Sequence, residues 1–402
     1  MFPHSVPIVE RVVALGALLN TTAALWRPAP FHYADAPWAE AYPALHAALV
    51  GLSADQVEAF HGDESALRGW LEAFIPGLAA LDGLMAFERF SSASLPSTKV
   101  HAPDRDVPGR KWAQIEAFAG LALTVREAAD EVLDWCAGKA HLGRLIGLHS
   151  GLPVRSLERD AVLCREAERL ATRDRITLTA EVVDVLDRPH RNMLTLGTLV
   201  CALHACGDLH LTLLDQAQKH MPASVLLTPC CYHRTTQAIH RPRSDAGRAC
   251  GLELTREDLR LAVLETATAG RAQREAEKRR KARLLALRDW GARHALLITD
   301  YTLLRDLGRE DDDSALTRAC ERLGWPVPMA GQIERLMETG WKRAAEVRAL
   351  ELVRAAIRRP LEAWLVLDMA LGLEEAGFEV EVGEFCERTI TPRNLMIRAR
   401  PR

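Results

Sequence analysis

The chain has 402 residues, 51 Lys and Arg against 54 Asp and Glu, and a formal net charge of −3. That length predicts two or three domains, and the near-balance of charge excludes a uniformly basic nucleic-acid coat while leaving room for a local basic face. The nine cysteines (Cys136, Cys164, Cys201, Cys206, Cys230, Cys231, Cys250, Cys320 and Cys386) are odd in number and irregularly spaced, which predicts reduced thiols in a cytoplasmic protein. No stretch reaches 18 uninterrupted apolar residues and no basic segment leads into an apolar run, so neither a membrane span nor a signal peptide is expected.

In chain order, residues 1–98 read as a helical region. Val9, Val12, Val13, Leu15 and Leu18 mark one amphipathic helix, Leu45, Leu49 and Leu52 a second, and Leu67, Leu71, Phe74 and Ile75 a third. The Pro- and aromatic-rich stretch from Trp26 to Trp38 reads as an ordered loop. Pro96 to Pro108 reads as a linker. Lys111 and Trp112 open the helix that follows, where they flank a ligand pocket or cap and pack that helix.

From Val132 the pattern alternates between strand and helix, which predicts an α/β, Rossmann-like, mainly parallel sheet over residues 107–250. The expected strands are Val132–Asp134, Val154–Leu157, Ile176–Val183, Leu199–Leu203 and Ser224–Thr228. A closing antiparallel hairpin, Phe378–Val382 with Leu395–Ala399, falls within residues 377–402 and brings the sheet to seven strands. Residues 251–376 read as a helical, partly basic insertion. Arg271 to Arg293 carries nine basic residues, a second basic helix covers Trp341 to Arg359, and Glu310–Asp313 reads as a solvated turn. The two basic helices read either as solvated faces or as a phosphate-contacting surface for RNA.

In a doubly wound sheet, ligands bind at the carboxyl ends of the strands. The first strand ends in Asp134 and meets a small-residue turn, Cys136-Ala137-Gly138-Lys139, before a helix that begins near His141 and Leu142. Such a joint presents backbone N–H groups to a nucleotide-like ligand. It has neither P-loop spacing nor the three-glycine dinucleotide fingerprint. Glu158, ending strand two, suits two ribose hydroxyls or caps the next helix. Asp184, after strand three, suits an adenine amino group.

Strands four and five end in His204-x-Cys206-x-Asp208 and Cys230-Cys231-x-His233. Four readings of this cluster stand together: packing of small thiols, base catalysis or acceptor positioning by His204, Asp208 or His233, a zinc site of unfamiliar spacing, and a nucleophilic thiolate at Cys206 or Cys231. No metal ligand set is assigned.

Taken together, Asp134-Trp-Cys-Ala-Gly-Lys-Ala-His-Leu142, Leu203-His-Ala-Cys-Gly-Asp-Leu209, Pro229-Cys-Cys-Tyr-His233 and Thr391-Pro-Arg-Asn-Leu-Met-Ile397 resemble one branch of the class I methyltransferases. This branch includes the methyltransferase domain of glutathione S-transferase C-terminal-domain-containing proteins and methyltransferase-like proteins with Ala-Cys-Gly-Asp and Cys-Cys-Tyr motifs. More distantly it is similar to eukaryotic tRNA 2'-O-methyltransferases. The resemblance covers residues 107 to 240 and the last 25. Ala140 stands where relatives carry Gly, and the zinc fingers of the tRNA enzymes have no counterpart. The resemblance implies S-adenosylmethionine (SAM) as cofactor, held by Asp134 to Leu142, Glu158, Asp184 and His204. The resemblance leaves the acceptor open; from the strand-end readings above, Cys231 and His233 are expected beside His204 and Asp208 at the reacting centre. Lys111, Cys230, Tyr232, Arg393 and Asn394 are then the acceptor's neighbours. RNA (tRNA or rRNA) is the expected acceptor; a protein, a small molecule or a non-catalytic scaffold role are the alternatives.

Overall fold

The computed structural model describes residues 6–95, 107–187, 193–264, 271–307 and 310–402. The linker expected from Pro96 lies, up to residue 106, outside the described residues. By internal contacts the chain forms two units, one of residues 1–21, 80–268 and 358–402, the other of residues 22–79 and 269–357. The 46-residue helix Ala330–Glu375 contributes to both. No helix among the described residues is long and apolar enough to cross a membrane.

The first unit holds a seven-stranded Rossmann-like α/β sheet. Its strands are β1 (Glu131–Trp135), β2 (Val154–Glu158), β3 (Leu178–Val182), β4 (Thr198–Cys206), β5 (Ser224–Cys230), β6 (Phe378–Glu384) and β7 (Leu395–Pro401). They lie in the order β3-β2-β1-β4-β5-β7-β6. β1 to β5 pair in parallel, while β7 runs antiparallel to both β5 and β6. Strand order reverses between β1 and β4, so the carboxyl ends of these two strands flank the crevice where ligands of such sheets bind. Central strands are buried on both faces and read as apolar runs, as β5 does along its whole length. The outer strand β6 alternates, and its outward acids meet arginines across the hairpin: Glu379 with Arg400 and Glu381 with Arg398.

Val132, Leu199, Leu226 and Met396 from four adjacent strands meet Leu142, Leu145 and Ile146 from the helix His141–Ser150 in one core. Gly143 makes that helix fit. A Cβ there would lie 2.9 Å from both Asp134 Oδ2 and Val154 Cγ1. The helix is further tied by Arg144, whose buried guanidinium donates from Nε to Asp174 Oδ2 at 3.0 Å.

β4 and β5 run on past their expected ends, to Cys206 and Cys230. Pro229 reads as a strand stop because it has no N–H to give the ladder. The ladder is irregular between Leu203 and Ala205, and Ala205 pairs with Pro229. The bulge therefore falls where the proline cannot donate, and the strands continue beyond it.

In the second unit the core gathers Leu284, Leu287, Trp290, Leu316, Trp325 and Leu336, among others. Its basic helix Arg271–Arg293 has a solvated first half, where Arg274 and Arg279 are exposed, and a second half committed to the protein. Arg283 is wholly buried and donates to Asp312 Oδ1 at 2.6 Å and to the carbonyls of Leu307 and Glu310. Arg288 donates to the carbonyls of Phe31 and His32, and Lys281 pairs with Glu351. On the second basic helix, Arg348 grips Glu58 with two bonds and Arg354 donates to the carbonyls of Trp26 and Arg27. Much of the charge that looks available for phosphate is committed to the protein itself. The acids of 310–313 open a helix instead of forming a turn: exposed Asp311 caps the helix Asp312–Leu323 by accepting from Ser314 N–H at 2.8 Å, Asp312 is the partner of Arg283, and Asp313 is exposed.

Candidate active site

Three residues of the β1 turn have left-handed backbones: Cys136 (φ 56°), Gly138 (φ 59°) and Ala140 (φ 51°). Ala140 holds a conformation that only Gly adopts without cost. A Cβ on Gly138 would meet nothing within 4 Å, so this part of the turn offers an open backbone face. Ala137 N–H donates to Leu157 O at 2.9 Å and ties the turn to β2.

The acids of the site gather around this turn. Asp134 is buried and its Oδ2 accepts from Gly143 N–H at 2.8 Å. Burial, outweighing that bond, raises its carboxyl to about 7, and the nearby Glu158 adds to the rise. Glu158 uses one oxygen for Gly138 N–H at 2.9 Å and the other for Asp160 N–H at 3.0 Å. Asp184 Oδ1 accepts from Leu186 N–H at 3.0 Å. Burial pushes the Cys136 thiol up to about 12, and Glu158, Asp134 and Asp184 all contribute. Four residues predicted for the cofactor, from β1, β2 and the end of β3, thus share one electrostatic neighbourhood. Beside it, exposed Lys139 and half-buried His141 open the helix; burial, with Arg144, Lys111 and Lys139, lowers His141 to about 4.

At the end of β4, His204 sits on the bulge with φ 60°. Its backbone N–H donates to Thr228 Oγ1 at 2.8 Å, and its Nε2 lies 2.7 Å from Gln114 Oε1. Gln114 in turn donates its amide N–H to Ile390 O at 3.4 Å. An amide oriented by that bond offers its oxygen to Nε2, which must then carry the proton and leaves the Nδ1 lone pair as the acceptor. Burial, then Arg393 and Lys111, holds His204 down at about 4, so the ring is neutral at pH 7.

Cys206, Cys230 and Cys231 bring their Sγ atoms within 4.8 Å of one another. The remaining predicted residues take other places. Asp208 accepts from Thr236 N–H at 2.8 Å and Thr236 Oγ1 at 3.0 Å, which holds the loop after β5. Tyr232 is buried, its hydroxyl donating to Pro229 O at 3.4 Å. Asn394 is fully buried and joins Cys386 O at 2.9 Å to Arg359 at 3.0 Å, a framework role within the hairpin loop. Arg393 and Lys111, by contrast, line a groove of about 320 Å³ with Arg110, Gln114 and Thr391. A larger cavity of about 700 Å³, lined by residues between Ile239 and Glu253, includes none of the predicted site residues. Gln114 and Arg110 are missed by sequence reasoning. Their only signal is helical spacing from Lys111, which places Gln114 on an adjoining turn position.

Residues 110–238 match a family model described as a methyltransferase domain. On a sheet of this order, that match makes the core that of a SAM-dependent methyltransferase with an unspecified acceptor. No curated protein matches the chain. Among solved structures, it is similar to the Pyrococcus abyssi tRNA (uracil-54, C5)-methyltransferase bound to S-adenosylhomocysteine (17% identity, 29% of each chain, TM-score 0.23). It is also similar to the Streptomyces coelicolor A3(2) geranyl diphosphate C-methyltransferase (15% identity, 37% of this chain and 58% of that one, TM-score 0.24). A third is coclaurine N-methyltransferase (13% identity, 78% of this chain and 94% of that one, TM-score 0.28). The chain spans less than two thirds of the first two, and likenesses at these scores carry nothing about its acceptor.

Proposed function

We propose that the chain methylates a phosphate-bearing acceptor, RNA of the tRNA or rRNA kind, in the cytoplasm. One observation carries the choice of acceptor: Arg110, Lys111 and Arg393 line a single groove with Gln114, which is bonded to His204. Arg393 gives one donor to Val263 O, and its place beside Lys111 and Gln114 makes this groove the phosphate site. The odd number and irregular spacing of the nine cysteines support a reducing compartment.

The cofactor, when bound, supplies a methyl group on a sulfonium that is already an excellent leaving group. Its residues are at hand: Glu158 for the ribose hydroxyls, Asp184 for the adenine amino group, and the Cys136–Leu142 turn with Asp134 for the amino-acid end. Glu158 need not give up its present bonds, because each carboxylate oxygen has a second lone pair for a hydroxyl. The chain's work is then to hold the acceptor in line and keep water out. Lys111 and Arg393 fix the phosphate, and neutral His204 takes the acceptor proton on Nδ1.

Replacing Glu158 by Ala is expected to weaken SAM binding by roughly 1–3 kcal/mol, the cost of losing hydrogen bonds to a charged group. Titration calorimetry with SAM and S-adenosylhomocysteine measures it, and unchanged affinity would remove the ribose assignment. Asp134 predicts a pH dependence as well. Its folded-state carboxyl titrates near 7 and its unfolded one near 3.8, so the folded chain keeps a proton that the unfolded chain has released. Stability therefore falls as pH rises from about 4 to 7 and levels off above. Urea denaturation at pH 5 and pH 7.5 is expected to show this fall, and Asp134→Asn to flatten it.

For the acceptor, labelled methyl from SAM is followed into RNA, protein and small molecules of a cell extract. Label in RNA is expected, and label in protein or small molecules alone defeats the reading. Lys111→Ala and Arg393→Ala are each expected to lower RNA affinity and to reduce the slope of affinity against salt by about one.

A further inference from the structure

We propose that Cys206, Cys230 and Cys231 form a thiolate site for one zinc-like divalent cation, with His233 as the fourth ligand. The inference leaves the cofactor reading untouched and replaces the expectation that Cys230, Cys231 and His233 meet the acceptor.

The backbone is shaped to bring these thiols together. Consecutive residues of an extended strand point to opposite sides of the sheet, so Cys230 and Cys231 would ordinarily face apart. Cys231 instead takes a left-handed backbone, φ 45°, a conformation disfavoured for any residue but Gly. This turns both thiols toward Cys206, which pairs with Cys230 across the β4–β5 ladder. Around them the two strand ends are locked. Gly207 N–H donates to Cys230 O at 3.1 Å, Asp208 N–H to Arg234 O at 3.1 Å, and Arg234 N–H to Cys231 O at 2.8 Å. Small apolar packing alone asks for no such convergence.

Spacing and charge agree with a metal. Zinc–sulfur bonds of about 2.3 Å at tetrahedral angles place thiolates about 3.8 Å apart. The three Sγ atoms lie within 4.8 Å of one another, with Cys206 and Cys230 at 3.2 Å. A cation between them needs the Cys206–Cys230 pair to open by about 0.6 Å and no other pair to close by more than about 1 Å. A Cys206–Cys230 disulfide would close that pair to about 2.05 Å and leave the third thiol without a role. A divalent cation offsets most of the charge of the three thiolates it would hold. A second observation is independent of the thiols: His233 Nδ1, two residues beyond Cys231, is buried and has no hydrogen-bond partner, although its ring nitrogens lie more than 4.8 Å from at least one of the three Sγ atoms and the ring must swing in to complete the shell. Buried imidazole nitrogens normally find a partner, and a metal is one. Three thiolates and an imidazole select zinc over magnesium or calcium, which take oxygen ligands.

Such a cation would clamp the ends of β4 and β5 beside His204; binding it takes the proton that Cys206 Sγ now donates to His204 O at 3.4 Å, so the metal replaces that tie. Its role is to position the bulge that carries His204.

The test uses the full chain, purified with a reductant and without a metal-affinity column. Mass spectrometry of metals is expected to find one zinc per chain. Cobalt(II) exchanged into the site is expected to give intense thiolate-to-cobalt charge-transfer absorption and tetrahedral ligand-field bands. Cys230→Ser and Cys231→Ser are each expected to lower metal affinity at least tenfold, and His233→Ala to shift the ligand-field bands. Cys320→Ala, in the other unit, is expected to leave metal content unchanged. Wild-type chain that holds no zinc and gives no charge-transfer band with cobalt overturns the proposal, whatever the variants do. So does a thiol count two below nine that reductant restores, because it would mark a Cys206–Cys230 disulfide. An unmoved cobalt spectrum in His233→Ala removes His233 from the ligand set.

Discussion

Replacing His204 by Ala is expected to lower the rate of methyl transfer by about 10²–10⁴-fold, the usual contribution of a positioned acid–base group. SAM affinity should fall far less than the rate, because the other assigned cofactor contacts, on the β1 turn, Glu158 and Asp184, are untouched. The size of the effect follows from how firmly the ring is set. Its Nε2 is held 2.7 Å from Gln114 Oε1, its backbone N–H is held by Thr228, and its φ of 60° is maintained by the bulge in β4. A neutral ring in one tautomer offers a single lone pair in a fixed direction. Gln114→Ala is expected to act more weakly and on kcat alone, since it frees the tautomer without removing the base. Single-turnover transfer measured beside calorimetric SAM binding separates these outcomes. Undiminished transfer in His204→Ala would leave the deprotonation to another group.

The sheet was legible because its strands announce themselves by short apolar runs that end in an acid or a small-residue turn. Asp134, Glu158 and Asp184 could be placed together from that pattern, and the structure brings them around one thiol. Pro229 misled at β5, because a missing donor matters only where the partner strand is regular, and here it faces a bulge. The basic helices misled for a different reason. A run such as Arg271–Arg293 shows how much charge a helix carries but not which acids and carbonyls will fold onto it. Glu58, Glu351, Asp312 and the carbonyls of residues 26–32 are remote in sequence from their arginines and lysines, so no local pattern could reveal the pairing. The same holds for Gln114, which is 90 residues from the histidine it orients. At the ends of β4 and β5 the sequence showed the density of Cys and His. It could not show that a left-handed Cys231 turns two neighbouring thiols to one side.

Gly207→Ala is expected to destabilise the chain by about 2–4 kcal/mol, a large share of the ~5–15 kcal/mol that separates folded from unfolded proteins. Two costs combine. With φ 56° and ψ −126°, Gly207 occupies a region that is essentially closed to residues with a Cβ. An added Cβ would also lie 1.8 Å from Arg234 O, far inside contact distance, so the loop after β5 must move. Gly138 provides the comparison. Its φ of 59° is similarly left-handed, yet a Cβ there meets nothing within 4 Å. Gly138→Ala should therefore cost only the conformational term, about 1–2 kcal/mol. Urea unfolding of the two variants side by side distinguishes backbone strain from steric displacement. Movement of the 230–234 loop in Gly207→Ala should also break the bonds that align Cys206 with Cys230 and Cys231, and the cobalt charge-transfer signal should fall with them. If Gly207→Ala unfolds at the same urea concentration as Gly138→Ala, the two strand ends are not as tightly locked as this close approach requires.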